Sequence, residues 1–140
     1  MNATPLDVLT LLYQALHGSP LWDALQQRGY KNTRPDNKLE SYVVNSLPVS
    51  QTQTQLGTGN VNIYAPNIRV KRTEGGIEES LPDTVRLDEL VQLALPVLTI
   101  YADHYDMEPV LVSLIEEPET DSHYMNIRID FNFYPAPQWS

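Results

Sequence analysis

The chain's 140 residues predict an α+β fold: helices packed on one face of an antiparallel sheet of four or more strands, in the order ααββαββ. Three observations carry this. Apolar residues recur at helical spacing from Leu6 to Leu16, and again from Leu87 to Tyr101. From His123 to Tyr134 the spacing changes to a strict period of two.

Thr4-Pro5-Leu6-Asp7 reads as a helix start, with Thr4 as cap, Pro5 at the first helical position and Asp7 near the positive end. Leu6, Leu9, Tyr13 and Leu16, with Val8, Leu12 and Ala15 beside them, form a broad apolar face that Gly18 terminates. Ser19-Pro20 repeats the start signal, so a second helix is expected over Leu21 to Gln27, stopping at Gly29.

Tyr42, Val43 and Val44 raise β propensity and predict a strand over Glu40 to Val49, with Pro48 marking an edge, a bulge or an end. A Gln/Thr-rich segment leads to a second strand, Thr58 to Ala65, in which Val61, Ile63 and Ala65 alternate with polar residues. The two are expected to pair antiparallel. The stretch Pro66 to Pro82 is long, polar and interrupted by Gly75-Gly76. Loops of that length in compact domains tend to be functional or disordered, which makes it the leading partner-binding feature.

A long helix is expected from Asp83 or Leu87 to Asp106, kinked or broken at Pro96, where an interior proline costs ~3 kcal/mol. Val110 to Glu116 reads as a strand, Glu117 to Ser122 as an acidic turn, and His123 to Tyr134 as the closing strand. In that last strand Met125, Ile127, Ile129, Phe131 and Phe133 face one way, and Tyr124, Asn126, Arg128, Asp130, Asn132 and Tyr134 the other. The expected organisation is one domain over residues 1–140, with the polar loop at 66–82 and a short Pro-rich tail at 135–140.

The net charge of −9 argues against a protein that tracks phosphates, since such proteins gain affinity by releasing counterions with Lys and Arg. No direct nucleic-acid recognition is expected. Residues 1–72 hold seven of the nine basic side chains and four acids, for +3, whereas residues 73–140 carry two basic side chains against fourteen acids, for −12. If the halves map to opposite flanks, head-to-tail contact between copies is steered by charge. There is no cysteine, so disulfides, thiolate zinc sites and cysteine nucleophiles are excluded. No run approaches the ~20 apolar residues of a membrane span.

Catalytic chemistry finds little footing. There is no G-x-S-x-G elbow, and Gly57-Thr58-Gly59 lacks the rest of a phosphate cradle. Asp103, His104, Asp106 and Glu108, with Glu116 or Asp121, are the best metal candidates, against the simpler reading of a solvated helix end. Glu116, Glu117 and Glu119 read as a solubilising acidic tip. The expectation is no enzyme, no cofactor and no metal. Arg69, Lys71 and Arg72 are the concentrated basic residues, and with Glu74, Glu78 and Glu79 they are the expected partner-binding residues.

The opening helix Pro5 to Leu16 with its turn at Gly18-Ser19-Pro20, the hairpin Ser41 to Pro48 and Asn60 to Asn67, the long helix and the strand Ile127 to Tyr134 together resemble the bacteriophage tail-terminator and tail-completion proteins. The resemblance spans nearly the whole chain and is one of layout rather than of fixed motif. It implies a ring, commonly of six copies, that caps a tail tube and offers its other side to the head connector. Carried over by position, the loop Arg69 to Glu79 would reach a neighbouring copy or the tail tube. The implied partners are the chain itself and phage tail-tube or head-connector proteins, with assembly in the host bacterial cytoplasm and final residence in the virion. Two rival readings are a cytosolic adaptor holding a peptide or small ligand, and, ranked below it, a metal-dependent hydrolase using Asp103, His104 and Asp106.

Overall fold

Thr4 opens the first helix, and its N–H donates to the Asp7 carboxylate at 2.7 Å. In the computed structural model, which describes residues 2–35, 38–51, 55–71 and 73–134, this helix, α1, runs Pro5–Leu16. Val8, Leu12 and Leu16 are fully buried, whereas Leu6 is 72% exposed, so the buried stripe is narrower than the sequence suggests. Gly18, at φ +75°, turns the chain into α2, Pro20–Ala24, whose cap Ser19 accepts from the Trp22 N–H. This helix ends earlier than expected because Gln26 and Gln27 both take left-handed backbone.

The expected α+β class and its ααββαββ order are overturned: the protein is mostly β. Six strands form one mixed sheet in the order β1 (Gly29–Lys31), β2 (Ser41–Ser46), β3 (Gln55–Pro66), β8 (Ser122–Phe133), β7 (Tyr105–Glu117), β6 (Ile100–Tyr101), while β4 (Ile68–Val70) and β5 (Glu79–Leu81) form a separate ribbon. β1 (Gly29–Lys31) pairs parallel with β2 (Ser41–Ser46), so the sheet is not antiparallel throughout. β3 (Gln55–Pro66) is flanked antiparallel by β2 and by β8 (Ser122–Phe133). β2 stops two residues before Pro48, which has no N–H to continue a ladder.

The loop expected over 66–82 holds two short strands, β4 (Ile68–Val70) and β5 (Glu79–Leu81), paired antiparallel. The long helix is also shorter than expected. α3 runs Thr84–Ala94, and a 3-10 turn, Leu95–Leu98, carries Pro96 where a missing N–H costs least. Beyond it the β-branched and aromatic run to Tyr101 becomes strand, β6 (Ile100–Tyr101), and β7 then spans Tyr105–Glu117. His104 therefore lies in the β6–β7 turn rather than on a helix.

α1 packs over β2 and β3, and α3 over β3 and β8. Between helices and sheet lies one core, centred on Leu12, Val61, Ile63, Leu90, Ile127 and Phe131. Gly59 lets α1 approach, since a Cβ there would stand 2.5 Å from Leu12 Cδ1 and 2.9 Å from Val8 Cγ1. Gly57 of the same strand also faces α1, with Val8 Cγ2 3.1 Å from where a Cβ would stand, so helix packing accounts for both glycines of Gly57-Thr58-Gly59. Arg72 and the tail at 135–140, including Trp139, lie outside the described residues.

Candidate assembly surface

The β4–β5 ribbon is pinned at its base. The Arg69 guanidinium donates to the Asp121 carboxylate, which also accepts from the Ser80 hydroxyl. Asn67 Nδ2 donates to Ser80 Oγ at 3.0 Å, and Asn67 Oδ1 lies 2.7 Å from His123 Nδ1. Asp121 holds left-handed backbone at φ +51° in the turn before β8, a conformation that Asp tolerates better than most residues. The ion pair is about half exposed on both sides, so it fixes orientation and contributes only ~0–1 kcal/mol.

Above that base the predicted residues spread outward. Lys71, Glu74 and Glu78 are exposed, as is Glu79 in β5, and Ile77 is 89% exposed between them. Arg69 is already engaged within its own chain. Among the described residues, ion pairs join the basic and acidic stretches of the sequence at Arg34 to Glu117, Arg69 to Asp121 and Arg86 to Glu40.

The sheet face away from the helices is polar and ordered. Asn126 Nδ2 donates to Asn62 Oδ1 at 2.7 Å and to Asn60 Oδ1 at 3.2 Å, while Asn60 Nδ2 donates to Asn45 Oδ1 at 3.0 Å. This ladder crosses β2, β3 and β8. Beside it the Tyr64 and Tyr124 rings sit 4.8 Å apart, and the Arg34 guanidinium lies 3.8 Å from the Tyr64 ring centre. Burial, then the Glu117 charge, raises the Tyr64 hydroxyl above its usual value.

The expected metal candidates do not converge. Asp106 accepts from the Tyr134 hydroxyl at 2.6 Å and Glu108 from the Tyr101 hydroxyl at 3.3 Å. No group of three or more His, Cys, Asp or Glu able to hold a metal is present among the described residues. A cleft of about 440 Å³ opens at this same end of the sheet, lined by Ala3, Leu11, His104, Tyr105, Phe133 and Tyr134 among others. It lies beside the start of α1 rather than between α3 and the sheet.

This surface also has an apolar part. In β7, Val110, Leu111, Val112 and Leu114 are all more than a third exposed. The signal in the sequence is three consecutive apolar residues, Val110 to Val112, followed after Ser113 by Leu114 and Ile115, where a half-buried strand would alternate throughout.

No protein-family model and no curated protein matches the chain. A solved structure does: a chain from the virion of the native gene transfer agent (GTA) particle, at TM-score 0.59 and 9% identity, with 91% of this chain and 95% of that chain covered. The two share a fold. The likeness runs over almost the full length of both chains, so it extends beyond the central sheet to the helices and flanking elements. Among the described residues no helix is long and apolar enough to cross a membrane.

Proposed function

We propose that this chain is a structural assembly protein of a phage or prophage particle, forming a homo-oligomeric ring at the tail end or the head–tail junction in the manner of a tail terminator. The observation that carries the reading is the full-length fold likeness to a chain of a gene transfer agent virion. The exposed apolar strand and the outstretched ribbon give it surfaces to assemble with. On this reading the chain is no enzyme. Its partners are its own copies and tail-tube or head-connector proteins, met in the host cytoplasm before the finished virion. Native mass spectrometry of the purified chain, alone and mixed with a tail-tube protein, tests it. A ring-sized species is expected; a strict monomer under both conditions at tens of micromolar protein overturns it.

The cleft beside α1 favours a second reading, an adaptor that holds a peptide or small ligand. It predicts one ligand bound per monomer, with chemical-shift changes centred on Leu11, Tyr105 and Phe133.

A further inference from the structure

β8 pairs along the whole of one edge of β7, from Tyr105 to Glu117. On the other edge β6 reaches only Asp106 and Met107. From Glu108 onward that edge has no partner strand among the described residues, so its backbone N–H and C=O groups stand open as a template for another strand.

The side chains on this edge are those of a buried strand. Register with β8 puts Leu111 opposite Arg128, on the outer polar face, and Val112 opposite Ile127, on the helix-covered face. Yet α1 and α3 stop over β2, β3 and β8, so Val112 is 38% and Leu114 48% exposed on the face meant for a core. On the opposite face and at the bulge, Leu111 is 55% and Val110 46% exposed. Strands apolar on both faces are normally covered on both. Proteins that must keep an edge free place charges, proline or a bulge along it. Here Pro109 and the bulge guard only the start, and the six residues Val110 to Ile115 carry neither charge nor proline.

Charge selects the occupant. Glu108, Glu116 and Glu117 bracket the run, so pairing this edge with itself about a two-fold axis would set glutamates opposite glutamates, which is destabilising. The far edge of the same sheet is β1, where Lys31 is exposed; the neighbouring Arg28 guanidinium is held by the Glu40 carbonyl and the Gln26 side chain, so Lys31 carries the charge of this edge. That edge is basic where the β7 edge is acidic. We propose that the Val110–Ile115 edge of β7 is a docking strand for a second copy of this chain, which it meets along that copy's basic β1 edge. The contact is head-to-tail, so it propagates from copy to copy and closes as a ring if the rotation allows. This inference rests on the assembly reading above and names the surface that reading leaves open.

The test is sedimentation velocity and native mass spectrometry on the full chain and its variants. Leu111→Lys with Leu114→Lys changes exposed side chains only, so circular dichroism and the melting temperature stay near those of the parent while association falls at least tenfold. Lys31→Glu alone and Glu116→Lys alone each weaken assembly, and the two combined in one chain restore it. A parent chain that assembles while the Leu111/Leu114 variant assembles equally well overturns this proposal and leaves the ring reading standing. Assembly lost in the Leu111/Leu114 variant but indifferent to Lys31→Glu and its rescue overturns the β1 assignment. A parent chain that stays monomeric overturns both readings together.

Discussion

Arg86 grips both carboxylate oxygens of Glu40, with Nε donating to Oε2 at 2.7 Å and Nη2 to Oε1 at 3.0 Å. Nη2 also donates to the Ala24 carbonyl at 3.2 Å. One side chain of α3 thus ties down the end of α2 and the lead into β2. The hydrogen bonds to Glu40, ahead of any other influence, raise the Arg86 pKa, and the group stays charged at every pH the fold survives. Because the side chains of Arg86 and Glu40 remain 31% and 24% exposed, solvent screening moderates the pair. Arg86→Ala is expected to cost about 1–2 kcal/mol in urea unfolding. Arg86→Lys keeps the charge but loses the two-pronged geometry, and should recover less than half of that loss. A lysine variant as stable as the parent would show that charge alone accounts for the link.

Tyr42 makes a different prediction. Its ring is fully buried, and its hydroxyl has no hydrogen-bond partner. Removing that oxygen therefore leaves nothing unpaired, so Tyr42→Phe should be neutral or stabilising by up to ~1 kcal/mol at pH 7. Burial first, and then the nearby Tyr13, raise the Tyr42 pKa well above the ordinary value. A raised folded-state value means the neutral form is favoured by folding. The stability this supplies is fully present below the unfolded value of ~10 and is lost as the pH rises above it. Tyr64 shifts in the same direction, so alkaline destabilisation should be shallower in Tyr42→Phe but not abolished. Denaturant melts of both proteins between neutral and alkaline pH measure the difference, and parallel curves would refute the assignment.

Gly29 is the position where the sequence has least freedom. A Cβ there would lie 2.1 Å from Tyr42 Cζ, inside a ring locked on all sides by the core. Gly29→Ala should therefore cost about 2–4 kcal/mol, more than the typical 1–3 kcal/mol of an added methylene, because an aromatic ring cannot bend away. Gly59→Ala meets the flexible tip of Leu12 at 2.5 Å and Val8 Cγ1 at 2.9 Å, looser contacts than the ring makes with Gly29, and should cost less. Thermal melts that rank the two the other way would mean the ring moves more easily than the leucine.

The physical reach of each signal explains what was legible in the sequence. Alternation from Met125 to Phe133 identified the core-facing side of β8, since Ile127, Ile129 and Phe131 are buried and Arg128 and Asp130 are exposed. Caps at Thr4 and Ser19 are local chemistry and placed both helix starts. β1 was invisible because three residues carry no period of their own; Gly29–Lys31 is a strand only by pairing with Tyr42 to Val44. The run after Pro96 satisfied a helical stripe and β propensity at once, and the sheet decided it. That competition and the strands inside the polar loop turned an expected α+β order into a mostly β one. The residues anchoring the ribbon were missed for a similar reason: Asn67, Ser80, Asp121 and His123 are scattered in sequence and meet only through the β7–β8 turn.

That anchoring separates local order from global stability. Asp121 serves two donors, Arg69 and Ser80, and holds φ +51°, so Asp121→Ala removes both contacts and places a less tolerant residue in left-handed backbone. The contacts are exposed and lie outside the core, so the melting temperature should fall by only a few degrees, equivalent to about 1–2 kcal/mol. The ribbon, held by three paired positions and little burial, should open far more often. Trypsin should then cut after Arg69 and Lys71 several times faster than in the parent, at a rate that follows the open population when cleavage is slower than reclosing. Asp121→Asn keeps the tolerance for left-handed backbone and one acceptor, and should lie between the two. If Asp121→Ala is cut no faster than the parent, the ribbon's position is set by its own hairpin and not by the turn beneath it, and the ribbon would reach a partner as an independent arm.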